Sequence, residues 1–244
     1  MRSAVLVSGG LDSDVLLIEE STRADVQPIY VSVGLAWEQA EREMLKLFLA
    51  SSPVRSTVTR PLVVLSVDMS DVYAATHWAI QGRPPGYHTP DEDVYLPGRN
   101  VVLVGKASVY CAAAGIGRLV LGTLAGNPFP DATAEFRSAM ARALSLGLGH
   151  PIDVDAPYAR MSKADVVRQA VSLGVPLELT LSCMNPRTGS DAVSNESTTE
   201  TSTPIHCGLC SKCRERHDAF LDAEIADATT YADRTHITSL RSGH

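Results

Sequence analysis

Apolar residues in this chain gather in short runs separated by longer stretches of helical spacing. Residues 4–7, 26–33, 62–67, 119–122 and 152–154 read as strands. Between them, residues 12–20, 37–50, 101–114 and 131–146 repeat apolar positions at the spacing of a helix with one buried face. Ser162-Lys163-Ala164-Asp165 sets a hydroxyl three positions before a carboxylate, the arrangement that caps a helix start, and predicts a helix to about residue 173. Apolar strands alternating with helices belong to a parallel sheet covered on both faces. The pattern predicts an α/β fold with a Rossmann-like parallel sheet, whose ligands sit beyond the strand carboxyl ends. That rim carries residues 8–13, 122–131 and the loop after Val154.

Two segments break the rhythm. Residues 81–97 hold Gly82, Pro84, Pro85, Gly86, Pro90 and Pro97 and read as a loop. Residues 185–205 are mostly Ser, Thr, Asn, Asp and Glu, too polar to offset their ordering entropy, and read as a mobile surface insertion. The expected organisation is an α/β unit over residues 1–180 and a small helical region over 181–244.

The first strand runs straight into Ser8-Gly9-Gly10-Leu11-Asp12-Ser13 and then a helix. Such a helix start offers unpaired N–H groups and the positive end of its dipole to an anion. Gly9 and Gly10 allow close approach, Ser8 and Ser13 add hydroxyls, and Asp12 is a candidate ligand for Mg2+ travelling with ATP. No Lys follows the glycines, so the loop is not a Walker A motif. The string looks like the pyrophosphate loop of enzymes that split ATP into AMP and pyrophosphate.

Composition changes the picture little. The chain has 244 residues, 45% of them hydrophobic, and a formal net charge of −7 from 28 acidic and 21 basic residues. That balance disfavours nucleic-acid binding, and with it a transfer-RNA-modifying relative that shares the loop. No apolar run reaches the roughly 20 residues of a membrane helix. The apolar stretch at the N-terminus is too short for a signal peptide, so a cytoplasmic protein is expected.

Of the five cysteines, four gather near the C-terminus: Cys183, Cys207, Cys210 and Cys213. In a cytoplasmic protein such clustering points to metal rather than disulfides, and four thiolates suit a structural Zn2+. An iron–sulfur cluster is the rival, because Cys-x2-Cys-x2-Cys also holds clusters. His206 could compete as a ligand, but four cysteines already complete the shell, and Cys111 reads as a small core residue.

Together the two ends resemble the 7-cyano-7-deazaguanine synthase family. The likeness runs through Leu96-Pro97-Gly98-Arg99-Asn100, Leu121-Gly122, Phe129-Pro130-Asp131, Glu135-Phe136, Lys163, Ser182-Cys183 and Cys207-Gly208-x-Cys210-x2-Cys213-x2-Arg216 with Ala219-Phe220. It implies a nucleotide-hydrolase fold, structural zinc, magnesium, often a homodimer, and a ligase using ATP and ammonia on a small-molecule carboxylate. Arg99, Asn100, Asp131 and Lys163 are then the candidate catalytic or substrate residues. Arg99 and Lys163 would neutralise phosphate or carboxylate charge, and Asp131 would bind metal or a guanine-like edge. The chain also departs from the family. Ala132 stands where a cysteine is usual, residues 125–129 and 33–38 differ, and 23 residues separate Cys183 from Cys207. Those changes keep two alternatives open: a paralogue acting on another carboxylate, on a small molecule or a protein terminus, and a nucleotide binder without turnover.

Overall fold

Five parallel strands form one sheet in the order β3-β2-β1-β4-β5, in a computed structural model that describes residues 2–187 and 203–238. The strands are β1 (Ser3–Leu6), β2 (Val26–Ser32), β3 (Val63–Ser66), β4 (Arg118–Val120) and β5 (Asp153–Asp155). The helices are α1 (Leu11–Ser21), α2 (Glu38–Ala50), α3 (Ser52–Arg55), α4 (Trp78–Gln81), α5 (Arg99–Ala113), α6 (Ala134–Leu148), α7 (Lys163–Ser172) and α8 (Ser211–Ala223). The chain builds outward from β1 through β2 to β3, then returns to the other side of β1 for β4 and β5. The order therefore reverses between β1 and β4, the place where sheets of this kind open a crevice for ligands.

Successive strand residues face opposite sides, so the inner strands β1, β2 and β4 feed two cores, while the edge strands β3 and β5 feed one. Val5, Tyr30 and Val120 pack with Val15, Leu16, Phe48 and Val166 of α1, α2 and α7. Ala4, Ile29, Leu119 and Val154 pack instead with Val104, Ala107 and Cys111 of α5 and, half-buried, Met140 and Leu144 of α6. Burying a side chain such as Leu16 or Phe48 contributes about 1.5–3 kcal/mol, which is why the two-sided strands are nearly all apolar. Cys111 is indeed wholly buried, and burial pushes its thiol up to about 12. Pro28 is tolerated inside β2 because pairing with β3 begins only at Ile29.

The expected helix over residues 131–146 begins later. Pro130–Ala132 forms a 3-10 turn, and the Thr133 hydroxyl caps α6 by accepting from Phe136 N at 3.1 Å. At α7 the predicted capping box is present: Ser162 Oγ accepts from Asp165 N at 3.1 Å, and Asp165 Oδ2 accepts from Ser162 N at 3.0 Å. α8 is not a separate appendage in its packing, since Ala219, Phe220 and Ala223 join the core beside α1 and α7. The expected mobile stretch falls largely on residues 188–202, outside the described residues. Just before and after it, Arg187 and Ile205 exchange backbone hydrogen bonds of 2.9 Å. Among the described residues no helix is long and apolar enough to cross a membrane.

Candidate functional site

The crevice between β1 and β4 opens into a cleft of about 510 Å³. Ser8, Gly10, Leu11, Asp12 and Ser13 line it from β1, Leu121 and Gly122 from β4. Gly9 shapes the loop rather than lining the cleft: its φ of +72° is left-handed, and a Cβ there would lie 2.7 Å from the Glu41 carbonyl oxygen. Ser13 Oγ accepts from Ser8 N at 3.1 Å and lies 3.2 Å from Ser8 Oγ, closing the turn. Gly10 caps α1 without a side-chain hydrogen bond, so the first-turn N–H groups are left for an anion. Gly122 is needed for contact, because a Cβ there would stand 3.2 Å from Ser13 N.

Lys163 enters from the first turn of α7 and joins two carboxylates, Asp12 Oδ2 at 3.0 Å and Glu215 Oε1 at 2.7 Å. Lys212 holds the other Glu215 oxygen at 2.5 Å. Burial works against the Lys163 charge, yet Asp12 and Glu215 together hold its ammonium above the ordinary lysine value. Burial likewise opposes the Glu215 charge, but Lys163 and Lys212 hold that carboxyl down at about 2. Sequence reasoning found Lys163 and missed Glu215 and Lys212, which lie beside the cysteines in the chain but face the loop in space.

Arg99 and Asn100 open α5 and line the cleft. Arg99 Nε is buried with no hydrogen-bond partner among the described residues, and so is Asp12 Oδ1. Asp131 is buried but not among the lining residues. Its Oδ2 accepts from Asn100 N at 3.1 Å, and Asn100 Nδ2 donates to its backbone oxygen at 3.2 Å. The geometry thus shows Asp131 satisfying the exposed start of α5. Ala132 is buried in the same turn and also absent from the lining.

Near the loop and the end of β2, the buried acids Glu41, Glu38 and Asp14 escaped the sequence reading. Glu41 accepts from Tyr30 Oη at 2.9 Å, and burial raises it to about 7 despite the nearby Arg99. Glu38 gathers Ser32 Oγ at 2.5 Å, Val33 N at 2.8 Å and Gly34 N at 3.2 Å at the end of β2. Asp14 has no exposure, and burial raises its carboxyl well above the usual range. An alternating helix pattern marks such positions as inward, but a carboxylate there reads as surface.

At the N-terminal start of α8, Cys183, Cys207, Cys210 and Cys213 are all buried, with their sulfurs within 4.8 Å of one another. Cys183 Sγ–Cys210 Sγ is 3.9 Å, Cys207–Cys213 3.8 Å and Cys210–Cys213 3.5 Å. Burial pushes the Cys183 thiol up, whereas hydrogen bonds from Cys183, Cys210 and Cys213 draw Cys207 down. Such a crowd of thiols can hold a metal ion such as zinc. His206 is not part of it: its Nε2 accepts from Ser182 N at 3.1 Å, and burial, aided by Arg216, keeps the ring neutral. Leu181 N donates to Gly9 O at 2.6 Å, so the segment leading into Cys183 is tied directly to the glycine loop.

The family described as queuosine biosynthesis protein QueC matches residues 2–224. The chain is 31% identical over 244 residues to 7-cyano-7-deazaguanine synthase of Methanopyrus kandleri, covering 95% of this chain and 99% of that one. It is 28% identical over 240 residues to the synthase of Caldicellulosiruptor bescii, covering 95% and 97%. Among solved structures it is similar to a predicted subunit of tRNA methyltransferase from Methanocaldococcus jannaschii. That match has a TM-score of 0.44 and 19% identity, over 70% of this chain and 74% of that one.

Proposed function

The chain belongs to the QueC family of queuosine biosynthesis proteins, and on that premise we propose that it is an ATP-dependent ligase. Its proposed substrate is 7-carboxy-7-deazaguanine, converted with ammonia to the nitrile 7-cyano-7-deazaguanine. One observation carries the reading: a glycine loop at a helix start, the unpartnered Asp12 Oδ1 and the unpartnered Arg99 Nε all belong to one cleft. Unpaired buried polar atoms cost folding free energy, so their presence together fits a site built for a charged ligand.

A carboxylate resists attack by ammonia because its oxygen is a poor leaving group. Attack of that oxygen on the ATP α-phosphorus releases pyrophosphate and leaves an acyl adenylate. Ammonia then adds to the carbonyl carbon, AMP departs with the former carboxylate oxygen, and a proton is lost to give the amide. A second ATP adenylates the amide oxygen with release of a second pyrophosphate, and loss of AMP and both N–H protons gives the nitrile. In this scheme the N–H groups at the start of α1, with Ser8 and Ser13, hold the departing pyrophosphate. Lys163 and Arg99 offset negative charge as it builds on the phosphates. Asn100, fixed by Asp131, orients the Arg99 turn.

Asp12, with its unpartnered Oδ1, would hold magnesium, which supplies neutralising charge across phosphate oxygens. The cysteine cluster fits zinc in size: a tetrahedron with Zn–S of about 2.3 Å has sulfurs roughly 3.8 Å apart. Several iron atoms would spread the sulfurs, so mutual contact favours a single ion. Its role would be to fold the C-terminal region. A second reading, ligation of a different carboxylate, draws on the cleft wall, where Trp78, Leu103, Phe129 and Met184 give the acceptor a broad apolar surface. Pyrophosphate release with each candidate carboxylate tests both readings. Dependence on 7-carboxy-7-deazaguanine supports the first, and dependence on another acid alone supports the second.

A further inference from the structure

Residues 82–91 contribute no side chain to the main hydrophobic cores and need outside contacts to fix their position. Glycines and prolines interrupt them, and the regular structure of the segment through residue 97 amounts to one 3-10 turn at Asp91–Val94. Yet the segment supplies Asp91, Val94 and Leu96 to the cleft wall. It is continuous with the acceptor-side candidates, since Arg99 N donates to Leu96 O at 3.0 Å and Tyr95 stacks on Phe129 at 5.0 Å.

Val94 and Leu96 are anchored in the core and Pro97 O accepts from Tyr73 Oη at 3.1 Å, whereas residues 85–91 are held from the start of α8. Arg214 Nη1 donates to Tyr87 O at 3.0 Å and Thr89 O at 2.8 Å, and Nη2 donates to Asp91 Oδ1 at 2.7 Å. Arg214 N in turn donates to Cys210 O at 3.2 Å, placing the side chain one residue past the last cysteine of the cluster. Beside it, Gly86 bridges Cys210 and Ser211 N donates to Pro85 O at 3.2 Å. A lone exposed ion pair would be worth little. Here a planar fork satisfies two loop carbonyls and a carboxylate at once, which an ammonium cannot reproduce.

We propose that Arg214 is a positioning residue that clamps residues 85–91 onto the cysteine cluster and so sets the acceptor wall of the cleft. The identity of the acceptor rests on the ligase reading; the clamp does not. Through Arg214 the cluster does more than stabilise its own region, because its geometry is passed to a wall that touches substrate.

The test compares full-length, metal-loaded wild type with Arg214→Met and Arg214→Lys. Metal content, hydrogen exchange of residues 82–97, and the KM values for ATP and acceptor are measured. The clamp predicts unchanged metal content and exchange of residues 85–91 faster by about tenfold or more in Arg214→Met. It also predicts an acceptor KM raised about tenfold with the ATP KM within about twofold, and intermediate values for Arg214→Lys. Unchanged exchange overturns the proposal. So does loss of metal with both KM values rising together, since Arg214 would then support the fold at large. If wild type releases no pyrophosphate with 7-carboxy-7-deazaguanine, the ligase reading fails, and hydrogen exchange still decides the clamp.

Discussion

Lys163 Nζ lies 3.0 Å from Asp12 Oδ2 and so joins the first turns of α1 and α7 across 151 residues of chain. The same ammonium holds Glu215 of α8. One side chain therefore fixes the glycine loop, α7 and the cysteine-bearing helix relative to one another. Lys163→Met leaves the Asp12 carboxylate without its ion pair and Glu215 with Lys212 alone. Breaking a fully buried pair costs about 3–5 kcal/mol, and partial exposure brings the expected loss here to about 2–3 kcal/mol. Pyrophosphate release should fall by about 10²-fold or more. Denaturant titration and a pyrophosphate assay check both, and a variant of wild-type stability would contradict the bridging role.

Gly9→Ala and Gly122→Ala should damage nucleotide binding by different routes. The first meets a left-handed φ and the Glu41 carbonyl at 2.7 Å, so it should cost about 1–3 kcal/mol of stability. The second meets Ser13 N at 3.2 Å and should displace the loop slightly, weakening ATP with little change in melting temperature. Calorimetry of unfolding and of ATP binding separates the two. Equal effects on both quantities in both variants would count against this division.

Stability should fall as pH rises through neutrality because of Glu41. Burial raises its carboxyl from 4.5 to about 7, so between those values the folded state binds more protons than the unfolded one. The contribution is fully present below pH 4.5 and lost as pH climbs through about 7, amounting to about 3 kcal/mol. Glu41→Gln should flatten this slope in thermal melts between pH 5 and pH 8. An unchanged slope would assign the effect to another group.

Much of the sheet was legible because its signals are local. All five strands and the capping box at Ser162 follow from runs and spacings within a few residues. The loop at residues 8–13 and the four cysteines were legible for the same reason: each is a dense motif. What escaped was long-range. Nothing near Glu215 in the chain indicates that it meets Lys163, 52 residues away, and nothing near Arg214 indicates that it holds Thr89, 125 residues away. The same holds for Asp131. The resemblance implies a metal or a guanine-like edge as its partner, and local sequence gives no sign that its carboxylate also accepts from the backbone N–H of Asn100, 31 residues away.

Metal analysis should find about one zinc per chain, and Cys210→Ser should lose it. Because Leu181 N holds Gly9 O, metal loss should also weaken ATP binding, measurable by titration calorimetry before and after chelation. A brown protein with iron and labile sulfide would replace zinc by a cluster.

The most direct measurement is mass spectrometry of the products formed from ATP, ammonium and 7-carboxy-7-deazaguanine. The ligase reading predicts the amide appearing first and the nitrile accumulating after it, with about two AMP released per nitrile from two adenylations. Isotopic nitrogen from ammonium should be retained in both products, and Asp12→Ala should form neither. Unchanged 7-carboxy-7-deazaguanine, under conditions where the protein binds ATP and carries its metal, would contradict the reading.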